Sequence, residues 1–487
     1  MISLKEIAKA LDIQAPDVKL SALCSDNRQV SEGSLFIALK GLNFDARTAI
    51  AQAVEKGAAA VIYEDAEDGF VPQPVNVPCI GVKDLSRRQA RIASVFYGCP
   101  SAELELIGVT GTNGKSTTTH LVAAWLTEMG RRTGLLGTLG TGIYPTLQPC
   151  ANTTLAAMEL EKTLYGMKNS GAAAAVMEVS SHGIALGRTS ELKFNVCAFT
   201  NLSRDHLDFH KTMENYAATK FELFKSVPSE KCVINAHDSV GSEFLTRLPG
   251  ALAYSIRPIA GERVLYADNI EYLPHGIHIS VGGSFGSAEI HAPLIGSFNA
   301  ENILCALGIL LVEGYSLREL AATAHALKAV SGRMECFKKA GSPMIIVDYA
   351  HTPDGLEKAL GAIREHGFGK ITCICGCGGD RDTGKRPEMA EIACRNSDHV
   401  IFTNDNPRTE DPDRIIDMMV AGVKDRYDNY RVIKERESAI NEAFLGSGDK
   451  DVLLVAGKGH EDYQIIGKTK YHYSDREVAM KLVGVDR

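Results

Sequence analysis

Gly108-Val-Thr-Gly-Thr-Asn-Gly-Lys-Ser-Thr-Thr-Thr119 lies between an apolar run ending at Val109 and a helical pattern that carries Leu121, Trp125 and Met129 on one face. Strand, glycine-rich loop and amphipathic helix in that order make a phosphate-binding loop. Gly111 and Gly114 let backbone N–H groups turn toward an anion, Lys115 brings a point charge to the outer phosphates, and the Ser116 hydroxyl can ligate Mg²⁺. The usual spacing places a glycine where this chain has Val109, so the loop is G-T-N-G-K-S.

At 487 residues the chain exceeds the size at which one core stops growing, and about three domains of about 150 residues are expected. A net charge of −8 without any Lys/Arg block argues against nonspecific nucleic-acid binding and against docking on an anionic membrane. The N-terminus starts directly in an amphipathic pattern with no signal-peptide core, and no apolar stretch reaches membrane-span length, so a cytoplasmic location is expected. The 12 cysteines are scattered, as for reduced thiols, except for Cys373, Cys375 and Cys377. That trio alternates along a short strand with no zinc-type Cys or His pair nearby, which favours core packing over a metal site.

Along the chain, strand patterns at 34–39, 59–63 and 78–82 precede a linker near Tyr97-Gly-Cys-Pro-Ser101. Apolar runs at 172–177 and 196–200 then alternate with loops and helices, as in a parallel sheet covered on both faces. A β-rich stretch (264–290), helices at 300–312 and 317–330, and a boundary at Ser331-Gly332-Arg333 follow. Strands at 344–348, 371–375, 399–403 and 452–456 predict a second open α/β sheet with functional loops at the strand C-termini.

Glu178 emerges from the apolar run that starts at Ala172, and a buried carboxylate requires a cationic partner, either Mg²⁺ or a salt bridge. Thr200-Asn-Leu-Ser-Arg-Asp-His206-Leu-Asp208-Phe-His210 gathers oxygen and imidazole ligands after another apolar strand, with His206 the leading candidate. Tyr216, Lys220 and Phe224 recur every four residues. Lys220 therefore either snorkels along an aromatic stripe or projects inward as a functional amine.

These stretches, with L-I-G-S-F-N-A-E-N, S-G-R-M-E, V-D-Y-A-H-T-P-D, G-C-G-G-D-R-D and D-N-P-R, closely resemble the Mur ligases of peptidoglycan synthesis, nearly end to end. The resemblance implies three α/β domains: 1–98 for a UDP-MurNAc-peptide, 99–331 a central P-loop ATPase-like parallel-sheet domain, and 332–487 a Rossmann-like domain for the amino acid. It implies a branch that adds meso-2,6-diaminopimelate to UDP-N-acetylmuramoyl-L-alanyl-D-glutamate. ATP phosphorylates the D-glutamate γ-carboxylate, and the incoming amine attacks the acyl phosphate. Gly111 to Thr117, including Thr112 and Asn113, with Asn299, Arg333 and Asp348, map to ATP. Ser116, Glu178, His206 and a carbamate on Lys220 map to Mg²⁺.

Ser25, Asn27, Leu42, Asn43, Phe44, Asn152, Thr153, Thr154, Ser180 and Arg188 align with the sugar-nucleotide contacts, although Asn27, Leu42, Asn43 and Leu186 depart from the usual family residues. Arg381, Asp405, Asn406, Pro407, Arg408, Gly457 and Glu461 align with the diaminopimelate site. The same machinery would serve an L-lysine-adding ligase or a folylpolyglutamate-synthase-like enzyme, but the latter lacks the D-N-P-R loop. A P-loop module that switches a partner without forming a bond is the reading from another class.

Overall fold

The computed structural model describes residues 2–41 and 44–484, so Leu42 and Asn43 lie outside the described residues. The chain separates into two compact units, residues 1–115, 129–234 and 238–252 in one and 116–128, 235–237 and 253–487 in the other.

In the first unit, strands Ala22–Cys24, Ser34–Ala38, Ala58–Glu64 and Cys79–Val82 form a parallel sheet in that order. A second set runs Thr133–Gly137, Ala174–Glu178, Glu105–Thr110, Val196–Phe199 and Cys232–Asn235, all parallel. Its central strands are buried on both faces, which is why they read as unbroken apolar runs. Register pairs Glu178 with Val109 and Phe199 with Thr110, so the glycine loop, Glu178 and Thr200 leave the sheet at one edge.

Helix Leu85–Tyr97 packs on Ala157–Asn169, and the latter turns Glu161, 1% exposed, into the packed region. Neither carboxylate oxygen has a well-formed hydrogen bond. Burial, and secondarily the charge of Glu191, push this carboxyl up to about 7, with Ser94 acting weakly against them. A folded pKa above the unfolded value means the native state holds the extra proton, so this contribution to stability is present at low pH and is lost as pH rises from about 4.5 to about 7. Glu161→Gln, which mimics the protonated acid, is expected to be nearly neutral at pH 4 and to stabilise by about 1–3 kcal/mol at pH 8.5. Thermal melts of both proteins across that range check it; a constant difference in Tm would contradict it.

The second unit carries an antiparallel set, Val264–Leu273, Gly276–Gly283 and Ala288–Ala292, matching the expected β-rich stretch. Its six-stranded sheet runs Glu335–Phe337, Met344–Asp348, Val452–Ala456, Ile371–Cys375, His399–Phe402 and Tyr430–Val432, antiparallel only at the first pair. Cys373, Cys375 and Cys377 belong to the core beneath it. Cys377 Sγ lies 3.7 Å from Met389 Sδ, and burial pushes its thiol up to about 12.

One helix is shorter than expected. Leu317–Thr323 tightens into a 3₁₀ turn at Ala324–Ala326 instead of running to Val330. Trp125 Nε1 takes the Leu320 carbonyl (3.1 Å) and Thr323 Oγ1 takes that of Glu319 (2.9 Å). Carbonyls engaged by side chains are less able to propagate a regular helix.

Candidate active site

After Thr110 the chain turns at Gly111, with φ +152°, into the helix Lys115–Glu128. A Cβ at Gly111 would lie 1.8 Å from Thr200 Oγ1, so no larger residue fits against the neighbouring strand end. The loop is clamped from that strand: Thr112 N donates to Asn201 O (2.8 Å), Asn113 N to Asn201 Oδ1 (2.9 Å), and Thr200 Oγ1 to Asn113 O (2.6 Å). Two loop N–H groups are thus engaged by Asn201 rather than turned toward an anion, a correction to the expectation for this loop. The first-turn N–H groups of the following helix lack intrahelical acceptors, as at any helix N-terminus.

Lys115 Nζ folds back on its own loop, donating to Gly111 O (3.0 Å) and Thr112 O (2.8 Å). Lys220 Nζ reaches the same Gly111 oxygen at 2.8 Å and sits 4.6 Å from the Tyr216 ring centre. Lys220 is 1% exposed, so it projects inward and does not snorkel. Burial, then the charge of Lys115, hold its amine well below the ordinary lysine range. A buried amine beside another cation is poised to be neutral, the form that reacts with CO₂. The stripe itself bends, since the helix Met213–Phe221 passes into a 3₁₀ turn before Phe224.

Glu178 is equally buried and forms no ion pair among the described residues. Oε1 accepts from Thr138 N (2.8 Å) and Oε2 from Thr138 Oγ1 (3.3 Å). A Cβ at Gly137 would lie 2.3 Å from Oε1, so that glycine makes room for the carboxylate. Thr138 Oγ1 also lies 3.0 Å from Thr153 Oγ1. Thr154 Oγ1 donates to Glu178 O (2.9 Å) and accepts from Ser180 N (2.9 Å), while Arg188 Nη1 donates to Thr154 O (2.6 Å). Thr153, Thr154, Ser180 and Arg188 therefore converge on the Glu178 strand end, and the Thr154 hydroxyl serves the loop.

His206 stands at φ +51°, a left-handed conformation that a non-glycine residue holds only under local constraint. Its ring meets His182 edge-on (4.9 Å between centres) and Tyr216 (6.2 Å), while His210 stacks on Tyr216 (4.8 Å) and shares a hydrogen bond with Ser181 Oγ (2.8 Å). Burial, helped by neighbouring positive groups, lowers both His182 and His210, favouring neutral imidazoles.

Among the described residues no group of three or more His, Cys, Asp and Glu side chains forms a metal cage. Mg²⁺ is ordinarily held by one or two carboxylates with waters and substrate phosphates, so an uncompensated buried Glu178 fits it without such a cage.

Elsewhere in the first unit, Ser25 is exposed, Asn27 Nδ2 donates to Gln52 Oε1, and Phe44 is 59% exposed. Asn152 accepts from Cys150 Sγ through its carbonyl.

In the second unit, Asn299 Nδ2 donates to Ile295 O (2.7 Å) and its Oδ1 accepts from Asn302 Nδ2 (3.0 Å). Asp348 ends a central strand and accepts from Met334 N and Ala350 N (2.8 Å each). The Arg333 guanidinium lies 4.7 Å from the Tyr349 ring centre.

The 404–408 loop follows the strand His399–Phe402. Asn406 Nδ2 donates to Glu461 Oε2 (2.9 Å), and Gly379 N donates to Asn406 O (2.9 Å). Pro407 O accepts from Glu410 N (3.1 Å), and Asp405 Oδ1 accepts from Asn406 N (2.6 Å). Gly457 N donates to Asp348 O (3.0 Å). Arg408 sits at φ +52° and donates to Gly379 O (2.8 Å). It makes no ion pair among the described residues: Glu410 pairs with Arg386, and Asp411 caps the next helix. Arg381 is exposed and, among the described residues, bonds only to the neighbouring Asp380 O (3.2 Å), so it is not drawn into the cluster.

Sequence reasoning passed over Asn201, Thr138 and Lys458. Asn201 and Lys458 stood in quoted or adjacent polar motifs, T-N-L-S and G-K-G-H, but their roles depend on partners far along the chain. Lys458 is fully buried and burial lowers its amine.

Three family models match in succession: Mur ligase family, catalytic domain (residues 19–97), Mur ligase middle domain (109–310), and Mur ligase, glutamate ligase domain (332–459). The protein named UDP-N-acetylmuramoyl-L-alanyl-D-glutamate--2,6-diaminopimelate ligase from Vibrio vulnificus (strain YJ016) is 45% identical over 96% of this chain and 95% of its own length. Its namesake from Haemophilus influenzae (strain PittGG) is 45% identical over 95% and 96%. A solved structure bearing the same ligase name superposes with a TM-score of 0.76 at 31% identity, covering 99% of both chains. Matched along nearly its whole length, with a P-loop, a buried lysine and a D-N-P-R loop each in place, this chain is a member of the Mur ligase family.

Proposed function

We propose that the chain is an ATP-dependent ligase that joins meso-2,6-diaminopimelate to the D-glutamate γ-carboxylate of UDP-N-acetylmuramoyl-L-alanyl-D-glutamate through an acyl phosphate. The observation that carries it is the meeting of Lys115 and Lys220 on one carbonyl oxygen, that of Gly111, at 3.0 and 2.8 Å. A second ammonium on one acceptor would be repelled, so the arrangement favours bound phosphate beside Lys115 and a neutral Lys220 amine that carbamylation converts to an anion. The relatives named for this reaction support the substrates.

In this reading Lys115 neutralises the transferring phosphoryl group, while Glu178, His206 and the Lys220 carbamate would hold Mg²⁺. When bound, the ion offsets charge as one anion attacks another. Asn299, Arg333 and Asp348 serve the nucleotide. The segments 1–98, 99–331 and 332–487 take the uridine nucleotide, ATP and the amino acid, with Ser25, Asn27, Phe44, Asn152, Thr153, Thr154, Ser180 and Arg188 for the sugar-nucleotide.

Arg408 sets the choice of amino acid. meso-Diaminopimelate differs from lysine by a distal carboxylate, and a guanidinium without an ion pair among the described residues is the group to receive it. Binding lysine would leave that charge desolvated, a penalty of about 2–5 kcal/mol. Arg408→Ala is expected to raise KM for meso-diaminopimelate and erase the preference over L-lysine. Steady-state kinetics with both amino acids check it; an unchanged preference would remove Arg408 from this role.

A further inference from the structure

Lys458 has no role in the chemistry above, yet it is a fully buried cation with three acceptors beside the amino-acid loop. Its side chain is 0% exposed. Nζ lies 3.0 Å from Asn406 Oδ1, 2.8 Å from Tyr463 O and 3.5 Å from Glu461 Oε2, one acceptor for each ammonium proton. A buried lysine is costly unless satisfied in this way, so the three acceptors and the amine fix one another.

The consequence is orientation. Asn406 Oδ1 accepts from both Lys458 Nζ and Ile465 N (2.9 Å), which occupies its two lone pairs and forces Nδ2 toward Glu461 Oε2 at 2.9 Å. Glu461 Oε2 is then held by Asn406 and Lys458, while among the described residues Oε1 meets only the Tyr463 hydroxyl at 3.5 Å. One carboxylate oxygen is anchored and the other is left for an incoming ammonium. The same framework reaches the guanidinium-bearing residue, because Arg408 N donates to Ile465 O (3.0 Å).

We propose that Lys458 is a positioning residue for the diamino acid, orienting Asn406 and Glu461 from beneath the site without touching substrate. This rests on the reading that the loop binds meso-diaminopimelate. A lysine serving only the fold would have no reason to change the affinity for one of three substrates.

The test is steady-state kinetics on the full-length wild type, Lys458→Met, Asn406→Ala and the double variant, with thermal melts of each. Lys458→Met is expected to raise KM for meso-diaminopimelate by about 10- to 100-fold, the effect of losing a charge-assisted hydrogen bond. kcat and the KM values for ATP and the muropeptide should move by less than about 3-fold. Asn406→Ala should raise KM for meso-diaminopimelate at least as far, and the double variant should be no worse than the poorer single one, because both act through one network.

A lower Tm with unchanged KM for the diamino acid would overturn the proposal, and so would additive effects in the double variant. Should Lys458→Met fail to melt cooperatively, Lys458→Gln, which keeps a donor, is held to the same criterion with a smaller rise in KM. Failure of the wild type to use meso-diaminopimelate would sink the functional reading instead, and is seen before any variant is made.

Discussion

Lys115→Ala is expected to fold normally and to form product at about one-hundredth of the wild-type rate or less. Its ammonium lies along the loop carbonyls of Gly111 and Thr112, and the side chain is only half-buried, so the fold does not rest on it. What disappears is a charge aimed at the transferring phosphate, and a single preorganised contact of that kind is worth about 10²–10³ in rate. Product formation under saturating substrates, alongside a melting curve, checks it; wild-type turnover in the folded variant would exclude the phosphate-binding assignment.

The second large effect concerns Lys220. Lys220→Ala is expected to lose most activity and to regain part of it with acetate or formate, because the group the site lacks is an anion. Lys220→Arg is expected to stay inactive. Arginine keeps the positive charge but cannot carry a carbamate, and its guanidinium would remain charged where burial disfavours charge. Rates with and without added carboxylate decide the matter. Full activity of the arginine variant would leave Lys220 as a packing residue.

Much of this was legible in the sequence for identifiable reasons. The strands Met344–Asp348, Ile371–Cys375 and Val452–Ala456 lie where the apolar runs place them, since a parallel strand buried on both faces has no polar position to blur its ends. The inward Lys220 was visible as one of two alternatives, and its burial with the contact to Gly111 O separates them. The end of the helix at Thr323 was not legible, because it depends on an indole reaching Leu320 from Trp125.

The candidate site divides in the same way. Gly111, Lys115 and Glu178 declare themselves by local pattern. Lys458 does not, because its meaning comes from Asn406, which is distant in sequence. Thr154 shows the reverse: its motif marks it as a substrate contact, yet its hydroxyl bridges Glu178 O and Ser180 N. Resemblance identifies the position, while geometry identifies its present hydrogen-bonding work.

The most direct measurement is amide formation by the purified chain with UDP-N-acetylmuramoyl-L-alanyl-D-glutamate, ATP and Mg²⁺, offered meso-diaminopimelate, L-lysine or L-ornithine in separate reactions. The expected result is phosphate release and tripeptide product with meso-diaminopimelate, little with the other two, and little ATP hydrolysis when either acceptor is omitted. Equal use of L-lysine, or steady ATP hydrolysis without either acceptor, would contradict it.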